Sequence, residues 1–207
     1  MKKICLLAVL SVVALALPTA VFAGSGVDFS NSGGMLSGSN SGLSLSGSVL
    51  FAVNGLNGNG LVTGANLGSV SFTTGALLSG SLQMGGTFAA GGSFTVAGNG
   101  LDGVPSGTLF SGTFSGPVTW TMVTLGNGTH NYTLTGTLTG TMGSGIPTEG
   151  VTVQLTVNTG KGYFNGCTNV SSGDTNISVT TPEPGSLSLM GTGLIGLAGM
   201  IRRKLKA

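Results

Sequence analysis

The chain has 207 residues, with 7 Lys or Arg against 5 Asp or Glu and a formal net charge of +2. Six of the basic residues (Lys2, Lys3, Arg202, Arg203, Lys204 and Lys206) lie at the two ends, and the stretch between them sets Asp28, Asp102, Glu149 and Asp174 against Lys161 alone, a net of −3. The positive balance is therefore no phosphate-binding patch and excludes DNA or RNA as partners, while glycine without a Gly-X-Y period excludes a collagen helix and, at 35 of the 158 residues 24–181, any long α-helix in that stretch.

The first element is a leader. Lys2 and Lys3 precede a continuous apolar run from Ile4 to Leu17, and Val21-Phe22-Ala23 places small residues where a signal peptidase reads them. This is the pattern of a removable secretory signal, with cleavage expected after Ala23. Residues 1–23 are thus a signal peptide, 24–180 a body, and 181–207 a separate tail. Cys5 falls in the leader, so the mature chain keeps Cys167 alone, expected as a semi-buried residue near a turn rather than as half of a disulfide framework.

The body is poor in charge but not in apolar residues, so it can close a core. Alternation of period two recurs along it. Leu43, Leu45, Val49, Phe51 and Val53 share one predicted strand face, with Ser44, Ser46 and Ser48 opposite. Val70 with Phe72 follows, then Leu82, Met84 and Phe88, then Phe94 with Val96, then Phe110 and Phe114 with Gly112 between them. Val118, Trp120 and Met122, then Tyr132, Leu134 and Leu138, and finally Val151, Val153, Leu155 and Val157 complete the series. Turns are marked by Asn57–Gly60, Gly91-Gly92, Asn99-Gly100, Gly126–Gly128 and Gly143–Pro147, where Gly and Asn supply positive φ angles. Nine or ten strands at this spacing predict an all-β, antiparallel sandwich or barrel-like body. A solenoid is the rival architecture, although the spacings hold no fixed period. Phe51, Phe72, Phe88, Phe94, Phe110, Phe114, Trp120, Leu134 and Leu155 are the expected core.

Chemistry is sparse. His130 is the single histidine, expected as a solvated residue at a strand start, and the body carboxylates are scattered singly in sequence. No catalytic, cofactor-binding or metal-binding residue is expected. Thr133, Thr135, Thr137, Thr139 and Thr141 form a file at alternate positions, about 6.8 Å apart on a regular strand. Such files resemble those of ice-binding β-proteins, whose arrays continue onto adjacent strands; threonine also simply suits a wet strand face.

The tail carries the most information. Pro182-Glu183-Pro184 is followed by an uncharged apolar stretch, residues 185–201, and then by Arg202, Arg203 and Lys204. The order resembles the PEP-CTERM sorting tail, a bacterial surface-sorting signal handled by exosortase-type membrane proteases; Thr181 stands where Val is usual. The resemblance implies a Gram-negative cell and often an exopolysaccharide layer. It further implies a transmembrane helix over 185–201, a membrane stop at Arg202, Arg203 and Lys204, and Pro182, Glu183 and Pro184 as recognition element. The expected protein is exported, anchored in the inner membrane for a time, and delivered to the envelope, surface or matrix in a structural or adhesive role. Two other readings stay open: a secreted hydrolase built from Asp28, Asp102, Glu149, Asp174 or His130, and an ice- or surface-binding protein using the threonine file.

Overall fold

The computed structural model describes residues 25–179. Thirteen strands run through them: β1 (Ser25–Ser32), β2 (Met35–Ser39), β3 (Gly42–Asn54), β4 (Val62–Thr73), β5 (Leu77–Ser81), β6 (Gly85–Phe88), β7 (Gly91–Asn99), β8 (Ser106–Phe114), β9 (Val118–Thr124), β10 (His130–Met142), β11 (Thr148–Asn158), β12 (Cys167–Asn169) and β13 (Ser172–Val179). The all-β, antiparallel expectation holds. The strands outnumber those foreseen because short ones (β2, β5, β6 and β12) lack a long alternating run. Leu82 and Met84, expected on one strand with Phe88, instead form the turn between β5 and β6, and Met84 is exposed.

Pairing follows the circuit β11–β13–β1–β3–β4–β7–β8–β10, and β10 pairs β11 again, so eight strands close a barrel-like ring. Closure leaves the ring without a free edge. The two longest strands each serve two neighbours along one edge. The first half of β3 pairs β2 and its second half β1, while the first half of β10 pairs β9 and its second half β8. The strands β12–β2 and β9–β6–β5 therefore branch off the ring as flaps.

Inward residues of all eight ring strands make one apolar core. Phe72, Phe94, Phe110 and Phe114 interlock with ring centroids 5.9–6.2 Å apart, mostly edge to face. Small residues opposite give these rings their room. A Cβ on Gly136 would lie 2.7 Å from the Phe114 ring, and one on Gly140 2.8 Å from Phe110 and 2.2 Å from the Ser111 carbonyl. Small barrels commonly fill their interior by pairing large with small in this way. Gly136→Ala is accordingly expected to cost about 1–3 kcal/mol by overpacking. Thr135→Ala, on the exposed outward position beside it, should stay within about 0.5 kcal/mol; urea midpoints of the two variants check both.

Phe51 departs from the expected core: it is 38% exposed. The cause is a pair of bulges in β3. Gly47, at φ +67°, adds a residue between Leu45↔Phe72 and Ser48↔Val70, which turns Ser48 and Leu50 inward. The β1 ladder then passes from Ser30↔Ala52 to Asn31↔Leu50, skipping Phe51 and restoring Val53 to the core. An extra residue reverses every side chain beyond it. Ser48, carried inside, is satisfied: its Oγ accepts from Asn31 Nδ2 at 2.7 Å and donates to the Ser32 carbonyl at 3.2 Å.

Candidate functional site

The sorting residues Pro182, Glu183 and Pro184, the membrane stop Arg202, Arg203 and Lys204, the cleavage residue Ala23 and the stretch 185–201 all lie outside the described residues. No helix among the described residues is long and apolar enough to cross a membrane. What the fold does fix is where both ends leave the body. β1 and β13 are antiparallel neighbours with Ser25 opposite Val179, and Val179 also faces Thr148 of β11. The chain therefore enters and leaves at one end of the barrel. That end also carries the β3–β4, β7–β8 and β10–β11 loops, since Thr148 starts at Val179, Val62 lies beside Val53, and Gly98 beside Gly68.

The outer wall is a quilt of hydroxyl and amide groups. The threonine file of β10 continues onto its neighbours: Thr133 faces Thr121, Thr135 faces Thr119 and Thr139 faces Thr113 on one side, while Thr133 faces Thr156 and Thr137 faces Thr152 on the other. A shallow hollow of about 400 Å³ crosses this wall, with Thr119, Thr135, Thr137, Thr152, Gln154 and Asp174 among its lining. A second, of about 240 Å³, shares Gln154 and Asp174 and reaches the outturned Phe51. The two join at Gln154 and Asp174 as a trough of mixed polar and apolar lining, with the Phe51 ring in the second hollow.

The carboxylates are not all isolated, contrary to the reading of the sequence. Strand pairing sets Asp174 opposite Ser30 and Asp28 opposite Asn176, so Asp28 and Asp174 meet on a diagonal although 146 positions separate them. Burial raises the Asp28 carboxyl from its ordinary 3.8 to about 6, with the Asp174 charge and a hydrogen bond to Asp174 adding to it. The Ser30 hydroxyl donates to Asp174 Oδ1 at 3.3 Å. A carboxyl pKa raised by folding means that the native state holds the proton more tightly than the unfolded chain. Its stabilisation is complete below about pH 4 and is lost as pH rises through about 6. The expected loss is about 1–2 kcal/mol after allowance for solvent screening. Asp174→Asn should flatten this slope, as urea midpoints measured between pH 4 and 7 will show.

His130 is not solvated. It is 7% exposed, its Nδ1 lies 3.0 Å from the Thr124 hydroxyl, and Tyr163 stacks on it at 4.4 Å and 16°. The loop between β11 and β12 folds back over the start of β10, tied by the His130 amide to the Gly160 carbonyl at 2.7 Å and by the Thr159 amide to the His130 carbonyl at 3.1 Å. Nothing in the local sequence signals this cover, since it comes from a segment about thirty residues away. His130 shares the buried face of Tyr132 and Leu134, whereas Asp174 aligns through Gln154 with outward Thr135. The sheet itself separates histidine from the carboxylate pair. Asp102 sits in the β7–β8 loop, and Glu149 falls within β11. Cys167 is exposed rather than semi-buried, with its Sγ 2.9 Å from Met35 Sδ. Among the described residues no group of three or more His, Cys, Asp or Glu is placed to hold a metal ion.

No curated protein and no solved structure matches the chain. A match to the PEP-CTERM protein-sorting motif does, over residues 180–204, which begin immediately after β13 and include Pro182, Glu183, Pro184 and the basic residues to Lys204. The chain thus carries a PEP-CTERM protein-sorting motif, and is an exported protein sorted at the membrane toward the cell surface by an exosortase.

Proposed function

We propose that the body is a non-enzymatic, structural or adhesive element of the cell surface or extracellular matrix. The sorting motif carries this reading, because it assigns a destination to a body whose outer wall is hydroxyl- and amide-rich. Asp28 and Asp174 meet on that wall, but the histidine that a hydrolase would combine with them is held on the opposite face. The trough from Phe51 to Thr119 supports contact with a polysaccharide of the envelope: a ring face beside Gln154 and serine or threonine hydroxyls matches the amphipathic surface of a sugar. Signal peptidase removes residues 1–23, residues 185–201 hold the chain in the inner membrane, and Arg202, Arg203 and Lys204 keep its end in the cytoplasm.

Mass and location of the mature chain, compared in cells with and without the sorting protease, test this. With the protease, the expected product lacks the leader and the tail and leaves the inner membrane. Without it, the product keeps the tail and stays there. The same mass and location in both strains would reject the anchored, sorted reading.

One observation favours a second reading. Threonines on β8, β9 and β11 extend the β10 file in register, as adsorption to ice or another ordered solid requires. Ice-recrystallisation inhibition that is lost in Thr135→Lys would favour it.

A further inference from the structure

We infer that the end of the barrel bearing both termini is a membrane-contacting surface, with Leu61, Leu101 and Ile146 seated in the outer leaflet of the inner membrane while the tail is in place. The inference rests on the anchored reading above and adds an orientation and a contact surface to it.

Three loops converge at this end, and each presents one aliphatic side chain to solvent. Leu61 before β4 is 67% exposed, Leu101 in the β7–β8 loop 53%, and Ile146 in the β10–β11 loop 41%. Behind them Leu56, Val104, Leu109 and Met142 are buried and plug the barrel, so the exposed three are surplus to the core. The loops are held in shape. The Leu101 amide bonds Asn99 Oδ1 at 3.3 Å and its carbonyl accepts from the Val104 amide at 2.9 Å, while Asn99 Nδ2 donates to the Asn66 carbonyl. The Met142 amide likewise bonds the Ile146 carbonyl at 2.9 Å. Side chains on such turns need little further ordering to enter an interface.

The covalent tether selects the bilayer as occupant. From Val179 to Gly185, where the apolar stretch begins, there are six residues, which span at most about 20 Å. Strands such as β10, 13 residues long, carry the barrel about 30 Å away even when tilted. The far end, with exposed Met84 and Tyr163, is therefore beyond the reach of the tether when the barrel stands. Lying on its side would press a wall rich in hydroxyl and amide groups against lipid, which costs polar desolvation. Standing on the terminal end puts three aliphatic side chains there instead. Three side chains cannot hold the protein by themselves, so cutting the tail also releases the contact.

The test uses residues 24–207, the chain without its leader and so without Cys5, in phosphatidylcholine vesicles. In a Cys167→Ser background, Leu101→Cys or Met84→Cys is labelled with a nitrobenzoxadiazole dye, and quenching by doxyl-labelled lipid is read together with flotation. The label at 101 is expected to shift to the blue and lose most of its emission, and the label at 84 to change little. A chain that floats with the vesicles while both labels stay unquenched, or are quenched alike, overturns the orientation and leaves the anchored reading standing. A chain that does not float overturns the anchored reading, and the contact surface with it. Leu61→Ser with Ile146→Ser should weaken quenching at 101 without altering flotation; unchanged quenching would count against the contact.

Discussion

Replacing Trp120 by alanine is expected to destabilise the body by about 3–5 kcal/mol, the range for emptying a large aromatic site. Three losses combine. Trp120 is 1% exposed, stacks on Tyr132 at 5.0 Å and meets Phe164 edge-on at 5.4 Å. Its Nε1 donates to the Leu82 carbonyl at 2.9 Å, and Tyr132 holds the next residue by donating from its hydroxyl to the Gln83 carbonyl at 2.7 Å. The same Tyr132 oxygen accepts from the Phe164 amide at 3.0 Å. Removing the indole thus opens a cavity, frees the β5–β6 turn and loosens the cover over β10. For a body of this size each kcal/mol lowers the melting temperature by about 2–4 °C, so a fall of about 10 °C is expected. Trp120→Phe keeps most of the packing but leaves the Leu82 carbonyl unpaired, and should cost about 1–3 kcal/mol. An unchanged urea midpoint in Trp120→Ala would contradict the packing described.

Glu183→Ala, or deletion of residues 202–206, is expected to abolish sorting while leaving the body folded. The reasoning starts from lengths. Wound as a helix, the seventeen residues 185–201 would span about 25 Å, against a hydrocarbon core of about 30 Å. Gly185, Gly191, Gly193, Gly196 and Gly199 lower its helix propensity further. In the anchored reading proposed above, such a segment is a temporary anchor, and the cationic end holds it in position through the positive-inside preference. Proline fixes its own φ and disfavours the α region for the residue before it, so in the proposed reading Pro182 and Pro184 would leave Glu183 accessible to the sorting protease. On that reading, loss of the carboxylate would remove the recognition feature and loss of the basic end would remove the stop. The measurement is the mass of the product and its distribution between membrane and surface fractions, with circular dichroism as the control for folding. Normal processing of both variants would remove Glu183 and the basic cluster from the sorting apparatus.

The all-β class was legible because alternation in Val118–Met122, Tyr132–Leu138 and Val151–Val157 is long, regular and bounded by Gly-Asn or Gly-Pro turns. Seven of the nine core candidates are aromatic, six phenylalanines and Trp120, and of the nine only Phe51 lies outside the core. It escaped because a bulge at one glycine reverses the faces beyond it, and nothing distinguishes Gly47 from the other glycines until its partner strand is known. Ring closure was equally hidden, since it depends on β13 meeting β1, and no local pattern encodes a pairing across about 150 positions. The same nonlocality brought Asp28 to Asp174 and buried His130 under Tyr163. The sorting tail lies at the other extreme: its signal is contiguous, so sequence alone located it.

Ring closure also has a consequence in time. β13 is the last strand to leave the ribosome and the last across the membrane, yet it fills the slot between β1, the first strand of the body, and β11. Until it arrives both of those edges are unpaired, and an unpaired edge is a template for misassembly. The first strand must wait for almost the whole body to follow it, a contact arrangement that makes folding slow. The sorting motif begins at the residue after β13. Completion of the barrel and appearance of the cleavage signal are thus nearly simultaneous, and a chain interrupted before β13 would possess neither.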